Sequence, residues 1–164
     1  MNIVLIGFMG AGKTTIGRKA AARLGYWFVD MDYQIELSQN ARVTEIFEKH
    51  GQEYFRTLET RLLKQLTKVE NTIVATGGGV FTTEGNLELI NQVGTCVYLQ
   101  ASIEKLFERA TRTDKRPLLR TENPFQTMSD LFEQRKHLYQ HADIVINTED
   151  LKLHHVVNEM IRQL

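Results

Sequence analysis

The chain has 164 residues, of which 42% are hydrophobic, and its 20 Lys and Arg balance 20 Asp and Glu to a formal net charge of zero. This composition predicts one globular domain and argues against a disordered chain or one that binds nucleic acid or anionic membranes through bulk charge. Its single cysteine, Cys96, excludes a disulfide-stapled scaffold. No apolar run approaches the ~18 residues of a membrane span, and residues 2–6 lack the basic flank of a targeting signal. We therefore expect a cytoplasmic protein.

Short apolar runs alternate with helical patterns along the chain. The runs are continuously hydrophobic, as in strands covered on both faces, and they occupy residues 3–6, 27–29, 72–75, 95–99 and 143–146. Apolar residues at helical spacing fall within residues 13–24, 55–66, 87–90, 103–107 and 156–161. This alternation predicts a doubly wound parallel α/β sheet with right-handed crossovers. The polar, basic stretch 111–126, which holds both prolines, is predicted to be a loop that acts as a lid.

The strongest motif lies between the first predicted strand and the first predicted helix, and it reads Gly7-Phe8-Met9-Gly10-Ala11-Gly12-Lys13-Thr14. Its glycines let the backbone wrap a phosphate, so that N–H groups and the positive end of the helix face the anion. Lys13 adds a charge at the β- and γ-phosphates, and the Thr14 hydroxyl can ligate Mg²⁺. The motif predicts a nucleoside-triphosphate site, with a glycine turn needed only for packing as the alternative.

Other features indicate which class of nucleotide enzyme this is. The Asn-Lys-x-Asp and Asp-x-x-Gly segments of a GTPase do not occur in the sequence. A small-molecule kinase needs an acidic residue near the acceptor hydroxyl, a site for the second substrate, and a lid that carries basic residues. The sequence holds a candidate for each of these three parts.

The acidic candidates are Asp30 and Asp32, at the end of the second predicted strand. Ligands bind at this edge of open α/β sheets, and residues two apart on an extended segment share a face. The alternative for either carboxylate alone is a helix N-cap. The third predicted strand ends in Gly77, Gly78 and Gly79, which allow a ligand to approach bare backbone N–H groups or simply form a turn.

The lid candidate is a basic segment near the middle of the second half. Residues 109–120 contain five basic residues and a single acidic one, Asp114. The basic residues are Arg109, Arg112, Lys115, Arg116 and Arg120. Such a segment can close on phosphates, or it can be a solvated charged face. Arg56 and Arg135 lie in helical patterns, and each taken alone is expected at the surface.

Together these residues resemble the shikimate kinase family. The match covers residues 1–147 in the family's order and spacing, and it is carried by the glycine motif with Thr15, Asp30-Met31-Asp32, Phe55-Arg56, Thr76-Gly77-Gly78-Gly79, Arg116-Pro117-Leu118-Leu119 and Arg135 with Leu138-Tyr139. The resemblance implies a P-loop kinase fold, a three-layer α/β sandwich around a five-stranded parallel sheet of order 2-3-1-4-5. It also implies one domain over 1–164, with a core of 1–30, 62–110 and 124–164, a small substrate-binding insertion over about 31–61 and a lid over about 111–123.

The activity implied by the resemblance is ATP-dependent phosphorylation of the 3-hydroxyl of shikimate, on the route to chorismate and the aromatic amino acids. The catalytic residues would be Lys13, Asp32 and Arg116, with Arg116 reaching the transferring phosphoryl group from the lid. ATP would be held by Gly10, Ala11, Gly12, Lys13, Thr14, Thr15, Arg112 and Arg116. Whether Arg109 or Arg112 packs on the adenine stays open.

The resemblance also assigns the second substrate and the metal. Asp32 would hold the hydroxyls of shikimate and accept a proton, while Arg56 and Arg135 would grip its carboxylate. Gly77, Gly78 and Gly79 would complete the site, with Gly78 offering its N–H. Thr14 would ligate Mg²⁺ directly and Asp30 through water. We expect a monomer without nucleic-acid or membrane partners; a gluconate or nucleotide kinase and a catalytically silent nucleotide-binding homologue are the alternatives.

Overall fold

The protein is described from a computed structural model that covers residues 1–112 and 120–164. All neighbouring strands are parallel, and their order is β2-β3-β1-β4-β5. The strands are β1 (Ile3–Ile6), β2 (Trp27–Asp30), β3 (Thr72–Ala75), β4 (Thr95–Gln100) and β5 (Ile144–Asn147). The predicted fold class and strand order are therefore confirmed.

Helices cover the sheet and form most of the connections between strands. They are α1 (Lys13–Leu24), α2 (Met31–Gln39), α3 (Val43–His50), α4 (Gln52–Leu66), α5 (Asn86–Val93), α6 (Ile103–Thr111), α7 (Pro124–Arg135) and α8 (Leu153–Gln163). Right-handed crossovers that run in opposite directions along a sheet lie on opposite faces. Helix α1, which contacts α8, and helix α5, which contacts α4, therefore form the two outer layers. No helix in the described ranges is both long and apolar enough to cross a membrane.

Burial separates the central strands from the edge strands. Every residue of β1 and β3 is buried, whereas Trp27 in β2 is 78% exposed and Val145 in β5 is 44% exposed. The expectation that all five strands are covered on both faces is wrong for β2 and β5. These strands have a neighbour on one side only, and the outer layers do not extend fully over the sheet edges.

The loop that was predicted over residues 111–126 ends before Pro124. Helix α7 already begins at Pro124, and the Asn123 side chain caps it by accepting from the Gln126 N–H at 3.1 Å. Proline at the first helical position and asparagine at the N-cap are typical helix-start chemistry, so residues 124–126 belong to the helix. Residues 113–119, with Lys115 and Arg116, lie outside the described residues.

Candidate active site

The glycine motif forms the loop between β1 and α1. Gly10 and Gly12 have φ angles of 82° and 90°, in the left-handed region that favours glycine. A Cβ atom on Gly10 would lie 2.5 Å from the carbonyl oxygen of Leu106 in α6. The motif therefore needs these glycines both for its backbone conformation and for the close approach of α6.

A cavity of about 530 Å³ lies against this loop and the start of α1. It brings together most of the residues predicted to bind ATP: Gly10, Ala11, Gly12, Lys13, Thr14, Thr15 and Arg112. The Lys13 side chain lies over the loop, and its ammonium group donates hydrogen bonds to the carbonyl oxygens of Gly7 and Phe8. Its charge therefore stands at the N-terminus of α1, where a phosphate would be most stabilised. Arg116 lies outside the described residues.

The far end of this cavity is formed by α6 and the chain after β5. The Arg109 guanidinium donates to Thr148 through Nη1 to Oγ1 at 3.0 Å and through Nη2 to the carbonyl at 2.9 Å. Arg112 instead pairs with Glu108 at 2.7 Å, and its side chain is 68% exposed. Both arginines line the cavity, but Arg109 is the one fixed against a buried part of the chain. Thr148 is a wall residue that sequence reasoning did not find.

Asp30 performs two tasks at the end of β2. Its Oδ1 caps α2 by accepting from the Tyr33 N–H at 3.2 Å, and its Oδ2 accepts from the Thr14 hydroxyl at 2.8 Å. The N-cap alternative is thus present for Asp30, and the hydrogen bond to Thr14 places the two residues predicted to hold Mg²⁺ side by side. A hydroxyl and a carboxylate side by side suit Mg²⁺, which typically takes one or two protein oxygens plus water and substrate phosphates.

A second cavity, of about 590 Å³, borders the same loop at Met9. Its polar lining includes three carboxylates, two guanidiniums and the glycine triplet: Asp32, Glu48, Glu59, Arg56, Arg135, Gly77, Gly78 and Gly79. An apolar wall faces them, formed by Met9, Val43, Phe47, Phe55 and Leu131. The structure thus gathers every residue predicted to bind the second substrate around one cavity beside the nucleotide site.

Two arginines converge on Gly79. A Cβ atom there would overlap Nη2 of Arg56 and would lie 3.1 Å from Nη2 of Arg135. The Arg56 side chain is only 15% exposed, and burial lowers the pKa of Arg135. The expectation of surface positions for these arginines, each taken alone, is wrong. A pair of adjacent, partly desolvated guanidiniums is suited to bind a carboxylate.

Glu59 is a site residue that sequence reasoning missed. It is fully buried, and its Oε1 accepts from Arg56 Nη1 at 2.5 Å. Desolvation raises the pKa of Glu59, although the Arg56 charge opposes the rise. The sequence did contain a sign of it, because Glu59 interrupts the apolar face of α4 that includes Phe55, Leu58 and Leu62. A charge at such a position is buried, and buried charges are usually paired.

Asp32 and Glu59 both lie close to Gly77. A Cβ atom on Gly77 would lie 3.0 Å from Asp32 Oδ1 and 3.0 Å from Glu59 Oε2. The close approach of both carboxylates thus leaves little room for a side chain at position 77. Asp32 lies in the first turn of α2, where the positive end of the helix favours an ionised carboxylate.

Comparison with known proteins shows the family to which this chain belongs. The family model described as shikimate kinase matches residues 9–164. This chain belongs to the shikimate kinase family. A shikimate kinase from Persephonella marina is 39% identical over 99% of this chain and 98% of its own length. The solved structure of a shikimate kinase from Acinetobacter baumannii in complex with shikimate is 41% identical, with a TM-score of 0.93 over 99% of this chain and 91% of that one.

Membership of the shikimate kinase family confirms the prediction of an ATP-dependent small-molecule kinase. A gluconokinase from Sinorhizobium meliloti has a TM-score of 0.60 with 16% identity, covering 98% of this chain and 89% of its own. At that identity the likeness shows a shared P-loop kinase fold and nothing about the acceptor.

Replacing Glu59 with glutamine is expected to change how folding stability depends on pH. A carboxyl whose pKa rises above its ordinary 4.5 on folding stabilises the protein below that value, and the contribution is lost as the pH rises through the folded pKa. Glutamine does not titrate. Urea unfolding should therefore show the variant gaining stability relative to the parent protein as the pH rises from 4.5 towards neutrality.

The matched control is Glu53→Gln, the same change on an exposed position of α4. It should leave the pH profile of the free energy of unfolding almost unchanged. A Glu59→Gln variant that instead lost stability relative to the parent as the pH rose would contradict the raised pKa.

Proposed function

We propose that this chain transfers the γ-phosphoryl group of ATP to the 3-hydroxyl of shikimate, giving shikimate 3-phosphate and ADP. The observation that carries the proposal is the convergence of Arg56 and Arg135 on Gly79, in a cavity that Asp32 also lines and that borders the phosphate loop. Shikimate carries one carboxylate and three hydroxyls. Two guanidiniums are suited to bind the carboxylate, and an aspartate is suited to accept hydrogen bonds from the hydroxyls.

In the proposed reaction the 3-hydroxyl oxygen attacks the γ-phosphorus in line with the bridging oxygen of ADP. A new O–P bond forms, the bond to that bridging oxygen breaks, and the hydroxyl proton passes to the Asp32 carboxylate. Arg56 and Arg135 hold the substrate carboxylate, and the apolar wall with Phe47 and Phe55 packs on the carbon ring and excludes water.

The phosphate side of the reaction is assigned to the glycine motif. Lys13 stabilises negative charge at the β- and γ-phosphates. The same task is assigned to Arg116 by the family resemblance, and this residue is not among those described. Thr14 and Asp30 would hold Mg²⁺, which neutralises phosphate charge during transfer when it is bound. Arg109 and Arg112 both line the same cavity, and one of the two would pack on the adenine.

The proposed division of the chain follows the same contacts. Ile35, Ile46, Phe55 and Leu58 form an apolar cluster separate from the main core, and this supports a small substrate-binding insertion over about 31–61. The lid is assigned to about 111–123 from its charge. We further infer a monomer in the cytoplasm. The zero net charge supports the inference that it has no nucleic-acid or membrane partners.

The deciding experiment measures ADP release from ATP and Mg²⁺ with shikimate, gluconate or a nucleoside monophosphate as the acceptor. Strong stimulation by shikimate alone is expected, with shikimate 3-phosphate as the product by mass spectrometry. Turnover with another acceptor would mean that Arg56 and Arg135 bind a different substrate. Tight ATP binding without acceptor-dependent turnover would favour a catalytically silent nucleotide-binding protein.

A further inference from the structure

Tyr139 lies behind the glycine triplet, four residues after Arg135 in the chain. It is 1% exposed, and its hydroxyl donates to the carbonyl oxygen of Gly78 at 2.8 Å. Tyr139 does not line the substrate cavity, whereas Gly77, Gly78 and Gly79 do. The Gly78 carbonyl therefore points away from the cavity, into the core.

This hydrogen bond fixes the direction of a neighbouring donor. A trans peptide unit is planar, so its N–H points opposite to its C=O, and no cis peptide bond occurs among the described residues. With the Gly78 carbonyl held towards Tyr139, the Gly79 N–H of the same peptide is turned towards the cavity. Within residues 1–112 and 120–164, no protein group accepts a hydrogen bond from the Gly78 or Gly79 N–H.

The position of the Tyr139 hydroxyl is itself set by the core. Its ring stacks on Tyr98 of β4, with centroids 5.0 Å apart and planes 22° apart, and meets Phe81 edge-on at 6.1 Å. Burial raises the pKa of Tyr139 well above its usual range, so the hydroxyl keeps the proton that it donates. Stacking on Tyr98 of β4 thereby helps to fix the conformation of a glycine segment that has little conformational preference of its own.

We propose that Tyr139 is a positioning residue for the second substrate, which it serves by holding the peptide between Gly78 and Gly79. The fixed peptide presents the Gly79 N–H to an oxygen of the substrate. It also holds Gly79 against the guanidiniums of Arg56 and Arg135, which pack where a side chain would stand. This inference rests on the proposed function, because the substrate in question is shikimate.

The test compares Tyr139→Phe with Tyr98→Phe. The second change removes a hydroxyl from the stacked neighbour, which is also buried and makes no hydrogen bond within the described residues. Loss of one ordering hydrogen bond should raise the KM and calorimetric Kd for shikimate about three- to tenfold in Tyr139→Phe. The KM for ATP and the kcat should stay within about twofold of the parent, and Tyr98→Phe should leave all four values near those of the parent.

Other patterns would overturn the proposal. If both tyrosine variants weakened shikimate binding equally, or if the KM for ATP rose in parallel with that for shikimate, the effect would be one of general packing. An unchanged shikimate KM in a folded Tyr139→Phe protein would overturn it as well. A parent protein without shikimate-dependent ADP release would instead overturn the proposed function, so the two failures are distinguishable.

A second measurement does not depend on a variant that folds. In the parent protein labelled with ¹⁵N-glycine, titration with shikimate should move the amide resonance of Gly79 strongly, since its N–H becomes a donor to the ligand. Gly25 follows α1 and Gly94 follows α5, two helices that contribute no residue to the cavity lining, and these glycines serve as internal controls. A Gly79 amide that moved no more than these two would overturn the proposal.

Discussion

Replacing Lys13 with alanine is expected to lower kcat by about 10²–10³-fold, the usual cost of removing one preorganised hydrogen-bond donor that stabilises transition-state charge. The Lys13 ammonium bonds the carbonyls of Gly7 and Phe8 and stands at the N-terminus of α1. Its charge therefore adds to the positive end of the helix at the place where phosphate charge develops. Steady-state ADP release at saturating ATP and shikimate measures the loss.

Lys19→Ala is the matched control, because it removes the same side chain from an exposed position of α1. Its kcat should stay within about twofold of the parent, as surface substitutions usually have small effects. Thermal unfolding should show both variants folded, since Lys13 lies over the loop rather than in the core. A Lys13→Ala enzyme that kept the parent kcat would mean that another cation carries the phosphate charge.

Local features of the fold were predictable from the sequence because short stretches of chain determine them. The run from Gly7 to Thr14 specifies a turn and a helix start through local backbone preferences, and the predicted helix over residues 13–24 has these bounds in the structure. The strands over 3–6 and 72–75 likewise match their apolar runs. Exposure of Trp27 was not predictable in this way, because it depends on the place of β2 at the sheet edge.

The substrate cavity depends on contacts between distant parts of the chain. Arg56 on α4 and Arg135 on α7 are far apart in the sequence, and both guanidiniums lie against Gly79 in the loop after β3. Helical periodicity gives no sign of this convergence, so each arginine alone looked like a surface residue. The resemblance to a family supplied their role, while the pairing of Arg56 with the buried Glu59 emerged only from the structure.

Replacing Asp32 with asparagine is expected to lower kcat by about 10²–10⁴-fold, the range for loss of a positioned general base. Asparagine keeps the size and a carbonyl oxygen that can accept hydrogen bonds from substrate hydroxyls, but it does not take up their proton. Binding should therefore change less than turnover. The measurement is kcat and KM for shikimate at saturating ATP, with circular dichroism to check the fold.

The change should also leave the protein folded, because the Asp32 side chain lines the cavity in the first turn of α2. Loss of a favourable carboxylate at a helix N-terminus costs about 0.3–1 kcal/mol, which a stable domain tolerates. Asp130→Asn, on an exposed position of α7, makes the same change in net charge and should retain the parent kcat. If Asp32→Asn raised KM alone and left kcat intact, Asp32 would bind the hydroxyls without accepting a proton, and the base would have to be sought elsewhere in the site.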